Sequence, residues 1–218
     1  MNRAPCWAAI LAASLACGCA ALTPTSAPHP NRYTLDGAAA EAARVPAPGA
    51  APTLVVSPPS AAAGFDSQRI LYVRQAHTLE YYAHNEWVDT PARMLAPLIV
   101  AATARSGAFG AVVLTPSIAS GDLRLDTEVS RLQHEFLGNP SRARFALRAT
   151  LLDTATREVI ATREFEAVAA APSEDPYGGV VAANQAVRSV LASLAEFCAD
   201  AARNWRPQPA PGARRSGD

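Results

Sequence analysis

Two cysteines, Cys17 and Cys19, close a short apolar leader, where covalent chemistry on a thiol is easiest to place in this chain. Arg3 supplies a positive start, Trp7 through Leu15 an apolar run, and small residues lead into Ala16-Cys17-Gly18-Cys19. The run is about half the ~20 residues that a membrane-spanning helix needs, so the pattern reads as a secretory signal occupying residues 1–18. Other chemistry-bearing residues are scattered. His29, His77, His84 and His134 lack a second His, a Cys or a paired carboxylate at metal-ligand spacing. His134 has Glu135 beside it on a predicted strand, pointing to the opposite face, which suits a structural or surface role. Gly178-Gly179 falls inside a helix start with no lysine, which indicates close packing or a loosely wound first turn rather than a phosphate loop. There is no Gly-x-Ser-x-Gly elbow, and acidic residues spread along strand faces instead of pairing. Cys198 lies on a helical apolar stripe and reads as a small buried hydrophobe. The expectation is a protein without catalytic residues, metal or cofactor.

The Ala16-Cys17-Gly18-Cys19 stretch resembles the lipobox of bacterial lipoproteins. That resemblance implies cleavage before an acylated cysteine: Cys19, with Gly18 before it and Ala16 three before it, or alternatively Cys17, with the polar Ser14 three before it. Because one chain anchors only marginally, at about 0.8 kcal/mol per buried methylene, the several chains of such lipoproteins would make a lasting tether. Ala20, not Asp, follows Cys19, which in lipoproteins favours the periplasmic face of the outer membrane over retention at the inner one.

The 218 residues carry 19 basic and 19 acidic side chains, so no electrostatic field attracts nucleic acid. Every basic residue is Arg. Residues 19–52 are rich in Ala, Pro, Thr and Ser and read as a lipidated N-terminus and flexible spacer. The exception is Arg32-Tyr33-Thr34-Leu35, an alternating scrap able to pair as an edge strand. Residues 53–205 form the folded domain, and 206–218 a linker-like tail with Pro207, Pro209 and Pro211.

Within the domain, short strands are predicted at 53–57, 69–74, 78–82 and 111–114. Thr90-Pro91 opens a first helix as N-cap and first-turn proline, with Met94, Leu95, Leu98 and Ala102 inward, a kink near Arg93 imposed by Pro97, and an end around 105–107. Three alternating runs follow. Leu123, Leu125, Thr127 and Val129 share one parity, and Leu132, His134 and Phe136 the other, which requires a β-bulge near Ser130-Arg131. The turn at 138–141 leads to Ala143 through Leu151, then Val159 through Phe165, an antiparallel meander in which Arg144 and Arg148 would face Glu164 and Glu166. Asp175-Pro176 opens a last helix with Val180, Val187, Val190, Leu191, Leu194, Phe197, Cys198 and Ala201 inward and Asn184, Arg188, Glu196, Asp200 and Arg203 outward. The fold class is α+β, a mainly antiparallel sheet with two helices packed on one face. Small Ala-rich helix faces predict tight packing with no lipid-sized cavity, of roughly 300–1,000 Å³; one lined by Leu98, Leu147 and Leu194 would overturn that.

Aromatics crowd into one segment, Tyr81-Tyr82-Ala83-His84-Asn85-Glu86-Trp87. Tyr81 and Trp87 can anchor the sheet against the first helix, with Asn85 in a turn, or the segment can be a recognition surface, since Tyr and Trp are frequent interface anchors. Strand alternation points Tyr81 and Tyr82 opposite ways.

The order Tyr33-Thr34-Leu35, Arg69-Ile70-Leu71-Tyr72 and Tyr81-Tyr82-x-x-Asn85-x-Trp87-x-x-x-Pro91 resembles the ABC-type transport auxiliary lipoproteins, which include the paraquat-inducible protein C lipoproteins, over roughly residues 32–204. The resemblance implies a non-enzymatic envelope protein whose partners are an MCE-domain protein with its ABC permease and ATPase, in systems that move lipids or other hydrophobic molecules. A ring-like homo-oligomer would match the ring symmetry of MCE assemblies. The other reading is a structural or assembly lipoprotein binding another envelope complex or lipopolysaccharide.

Overall fold

The computed structural model describes residues 29–36, 51–118 and 120–207. Cys17, Cys19, the leader, most of the spacer and residues 208–218 lie outside the described residues. The elements run β1 Asn31–Tyr33, β2 Thr53–Val56, β3 Ser60–Ala61, β4 Arg69–Val73, β5 Glu80–Trp87, α1 Pro91–Arg105, β6 Ala111–Leu114, β7 Leu123–Glu135, β8 Arg142–Asp153, β9 Val159–Ala170 and α2 Pro176–Asn204. The strands make one nine-stranded sheet, with the two helices together on one face. This is the α+β arrangement expected.

The sheet is organised by β7, whose 13 residues outreach its neighbours. One edge pairs antiparallel with β8 along its whole length, and β8 with β9 likewise. The other edge is shared by three short parallel strands in succession: β2 beside Leu123–Leu125, β3 beside Glu128–Val129, and β4 beside His134–Glu135. The sheet is therefore mixed, with the long pairings antiparallel and the short ones mostly parallel. Strand β5 pairs antiparallel with β4 and carries β1, in parallel, on its outer edge. So the 32–35 scrap does pair, as Asn31–Tyr33.

The expected bulge is present. Val129 faces Leu147 and Arg131 faces Ala146, leaving Ser130 as the extra residue. Before it Leu123, Leu125, Thr127 and Val129 are buried; after it Leu132 and His134 are. One inserted residue thus turns His134 from the wet face to the helix face.

Helix α1 runs through Pro97 to Arg105 and ends at Ser106, with Gly107 at a positive φ of 67°. Its inward face is Ala92, Leu95, Ala96, Ile99, Ala102 and Thr103, whereas Met94 and Leu98 are only partly buried. Ile99 thus takes the central place that the spacing gave to Leu98. Thr90 precedes the helix in extended conformation, but its side chain makes no capping bond. Helix α2 begins as expected: Asp175 accepts a bond from the Gly178 N–H at 2.7 Å, and the carboxylate complements the positive end of the helix dipole. Its apolar stripe packs on β8 and β9 around Phe145, Leu147, Leu151, Val187 and Leu194, all fully buried.

Candidate functional site

All four residues singled out in the aromatic segment lie on β5, a strand reaching five residues past the predicted end at Tyr82 because Tyr33 and its neighbours extend the sheet there. Asn85 is therefore in a strand, not a turn. Its side-chain oxygen accepts bonds from the Tyr33 hydroxyl at 3.1 Å and the Asn31 amide at 3.2 Å, fastening β1 to β5. Trp87 is 3% exposed and belongs to the core. Tyr81 and Tyr82 do point opposite ways. Tyr82 is half-buried, its ring 4.5 Å from that of Tyr72. Tyr81 is 49% exposed, under the guanidinium of Arg69 at 4.1 Å from its ring centre.

Tyr82 leads into a polar cluster that residue spacing alone did not reveal. Its hydroxyl lies 2.9 Å from His134 Nδ1, and His134 Nε2 lies 2.8 Å from the Ser141 hydroxyl. Ser141 is fully buried, and its backbone N–H and hydroxyl both bond the Glu174 carboxylate, the N–H at 2.8 Å. A carboxylate only accepts, so the Ser141 hydroxyl donates to Glu174 and accepts from His134 Nε2–H; Nδ1 then accepts from Tyr82. A chain of oriented hydrogen bonds thus runs from β5 through β7 and the turn before β8 to the lead-in of α2. Gly179 caps it: a Cβ there would overlap the His134 ring. The Gly178-Gly179 pair serves the close packing its position suggested, since a Cβ on Gly178 would overlap the Ser173 carbonyl. Burial holds the His134 pKa below its ordinary value against the pull of Glu174 and Asp175. Burial also pushes the Tyr82 hydroxyl up. The backbone bond from Ser141 holds Glu174 down, and that from Gly178 does the same for Asp175.

A serine hydroxyl against a histidine ring has the elements of a nucleophile and base. Here Ser141 is 0% exposed, and the hollow beside His134, walled by Ile70, Trp87, Leu132 and Gly179, measures about 10 Å³, too little for a substrate. Cys198 is buried in the core, and burial pushes its thiol up to about 12. Among the described residues, no group of His, Cys, Asp and Glu side chains could hold a metal ion.

Asn184, placed outward by the helical pattern, is in fact buried. Its oxygen accepts from the Asp36 backbone N–H at 2.8 Å and its amide donates to the Thr34 carbonyl at 3.1 Å. A polar residue belongs there because the 34–36 backbone, covering α2, has polar groups to satisfy. On the opposite side of the sheet, Arg144 pairs with both Glu135 and Glu166, while Arg148, opposite Glu164 in register, pairs with Glu128 at 3.4 Å. Between α1 and α2 an open cleft of about 670 Å³ is lined by Ala102, Arg105, Arg188, Ala192, Ala195 and Glu196. By volume the cleft falls in the lipid-sized range that tight packing was expected to leave out, but its lining is small and charged apart from Leu191, and Leu147 and Leu194 are fully buried in the core instead. Among the described residues no helix is long and apolar enough to cross a membrane.

The fold is thus a mixed sheet backed by two helices on one face, with the Ser141–His134 contact buried between them. Residues 33–195 match the family described as ABC-type transport auxiliary lipoprotein component, and the chain belongs to that family. It is similar to a crystal structure of a protein from Xanthomonas campestris, 27% identical, with a TM-score of 0.67, covering 79% of this chain and 97% of that one. A second crystal structure, of an uncharacterized protein, is 14% identical with a TM-score of 0.61, covering 78% of this chain and 99% of that one, and shows the fold alone. No curated protein matches.

Proposed function

We propose that this protein is a non-enzymatic auxiliary subunit of an MCE-type ABC transport system for lipids or other hydrophobic molecules. It is held at the periplasmic face of the outer membrane by acyl chains on Cys19, or alternatively on Cys17, and needs no other cofactor. Its partners are an MCE-domain protein and the ABC permease and ATPase, which it meets as a monomer or as a homo-oligomer matching the MCE ring. The family match over residues 33–195 is the observation that carries this reading; the leader ending in Cys17-x-Cys19 and the sealed Ser141–His134 contact support it.

Within this reading, β5 divides its labour. Asn85 and Trp87 build the strand into the fold, Tyr82 ties it to α2, and Tyr81 with Arg69 offers an exposed aromatic–guanidinium pair of the kind that anchors interfaces. Affinity capture of the full-length lipidated protein from detergent-solubilised envelopes tests the function. Recovery of an MCE-domain protein together with a permease or ATPase subunit is expected. Recovery of neither, with the bait intact, refutes it. Mass spectrometry of the mature N-terminus tests the anchor, with an acylated Cys19 as the expected first residue.

A further inference from the structure

We propose that the Tyr82–His134–Ser141–Glu174 chain is an acid-sensitive latch that fastens the start of α2 to strand β5 and opens when His134 takes up a proton. The geometry makes it one. His134 is 2% exposed and both its ring nitrogens are committed: Nδ1 accepts from Tyr82 at 2.9 Å, and Nε2 donates to Ser141 at 2.8 Å. A proton arriving from solvent can bond only at Nδ1, the nitrogen that now accepts. The Tyr82 hydroxyl must then turn its own hydrogen away and become the acceptor. The bond to His134 in its present direction is then lost, on a hydroxyl whose ring lies 4.5 Å from that of Tyr72, itself bonded to Glu80 at 3.0 Å. Nor can the ring slide aside, because Gly179 lies against it and Phe136 stacks with centroids 4.3 Å apart.

Charged groups of both signs lie around the ring. From the α2 lead-in, Glu174 and Asp175 attract a proton to His134. From the end of β4, the cation of Arg74 lies over Tyr72 and Phe136, 4.9 and 5.9 Å from their ring centres. Glu135 is on the other face, engaged with Arg144. Burial decides the balance in favour of the neutral ring, so the charged ring is accommodated by separation of α2 from β5, which lets water in. The parts that separate are the strand carrying Tyr81 and the helix start that caps it.

Hydrogen exchange of the full mature protein tests this at residues 172–182. Corrected for intrinsic exchange rates, opening there should rise about tenfold between about pH 7.5 and about pH 5, while the centre of β8 stays protected. In His134→Asn the same stretch should change by less than about twofold. Unchanged wild-type protection, or the same acid response in the variant, overturns the latch. If the variant does not fold, the His134 ring resonance in the wild-type protein decides. Titration below the ordinary value of 6.5, accompanied by shifts at Gly179, supports the latch, and titration at or above it, or without those shifts, overturns it.

Discussion

On the helix side of the sheet, His134 and Ser141 are shut away beside the half-buried Tyr82, in a chain of directed hydrogen bonds. On the other side, the ion pairs Arg124–Asp126 and Arg148–Glu128 are partly open to solvent. Both regions are polar, and both include residues of β7. What separates them is burial. A buried polar atom that loses its partner keeps its desolvation cost, whereas an exposed one is taken up by water. Arg144 and Glu135 fall between, on the wet face but with the Glu135 side chain only 6% exposed. Side chains of similar chemistry therefore hold the fold on one face and mainly solvate it on the other.

Substitutions can break or sharpen that contrast. The largest loss is expected for Trp87→Ala, which empties a core position on β5 and should cost about 3–5 kcal/mol in urea unfolding. Gly179→Ala comes next: its methyl must displace the His134 ring or the start of α2, for about 1–3 kcal/mol, and the loss should shrink if His134 is made smaller in the same chain. Arg148→Ala, on the exposed face, should cost under about 1 kcal/mol and less still at high salt. A result as large as that for Gly179→Ala would erase the contrast. Tyr81→Ala should leave the unfolding midpoint within about 0.5 kcal/mol of the wild type, because the ring lies outside the core.

Acid offers a second test. His134 has a lowered pKa in the fold, so the unfolded chain binds its proton first. Its contribution is complete above 6.5 and declines as pH falls from there. Burial would push Glu135 up, but bonds from Arg144 and Gln133 outweigh it and hold the carboxyl below 4.5. Its contribution is present above that value and lost as pH falls further. Unfolding free energy should therefore be flat at neutral pH and fall in two stages, the His134 stage first. In His134→Asn the upper stage should vanish and the lower one remain.

Much of this was legible in the sequence because it rests on local rules. The parity switch at Ser130 located the bulge and Asp175-Pro176 located the start of α2, whereas His134, read as structural or on the surface, is buried on the parity of Leu132. What escaped depends on contacts distant in the chain. The end of β5 was misplaced because β1, 54 residues earlier at Asn31 and Asn85, supplies its edge partner. Asn184 looked solvent-facing because its partners, Thr34 and Asp36, lie about 150 residues away, at separations of 150 and 148. The parallel pairings of β2, β3 and β4 with β7 carry no local signal, since each is too short to show a period. Polar residues that satisfy remote backbone are the ones pattern reading assigns to water.

The division of labour along β5, with structural residues turned inward and Tyr81 turned out, is the central claim. It is tested most directly by affinity capture with full-length lipidated Tyr81→Ala beside the wild type, each verified to unfold at the same midpoint. The wild type should recover the MCE-domain protein and the variant about tenfold less, as expected for an interface aromatic worth more than about 1 kcal/mol. Equal recovery by the two proteins would contradict it.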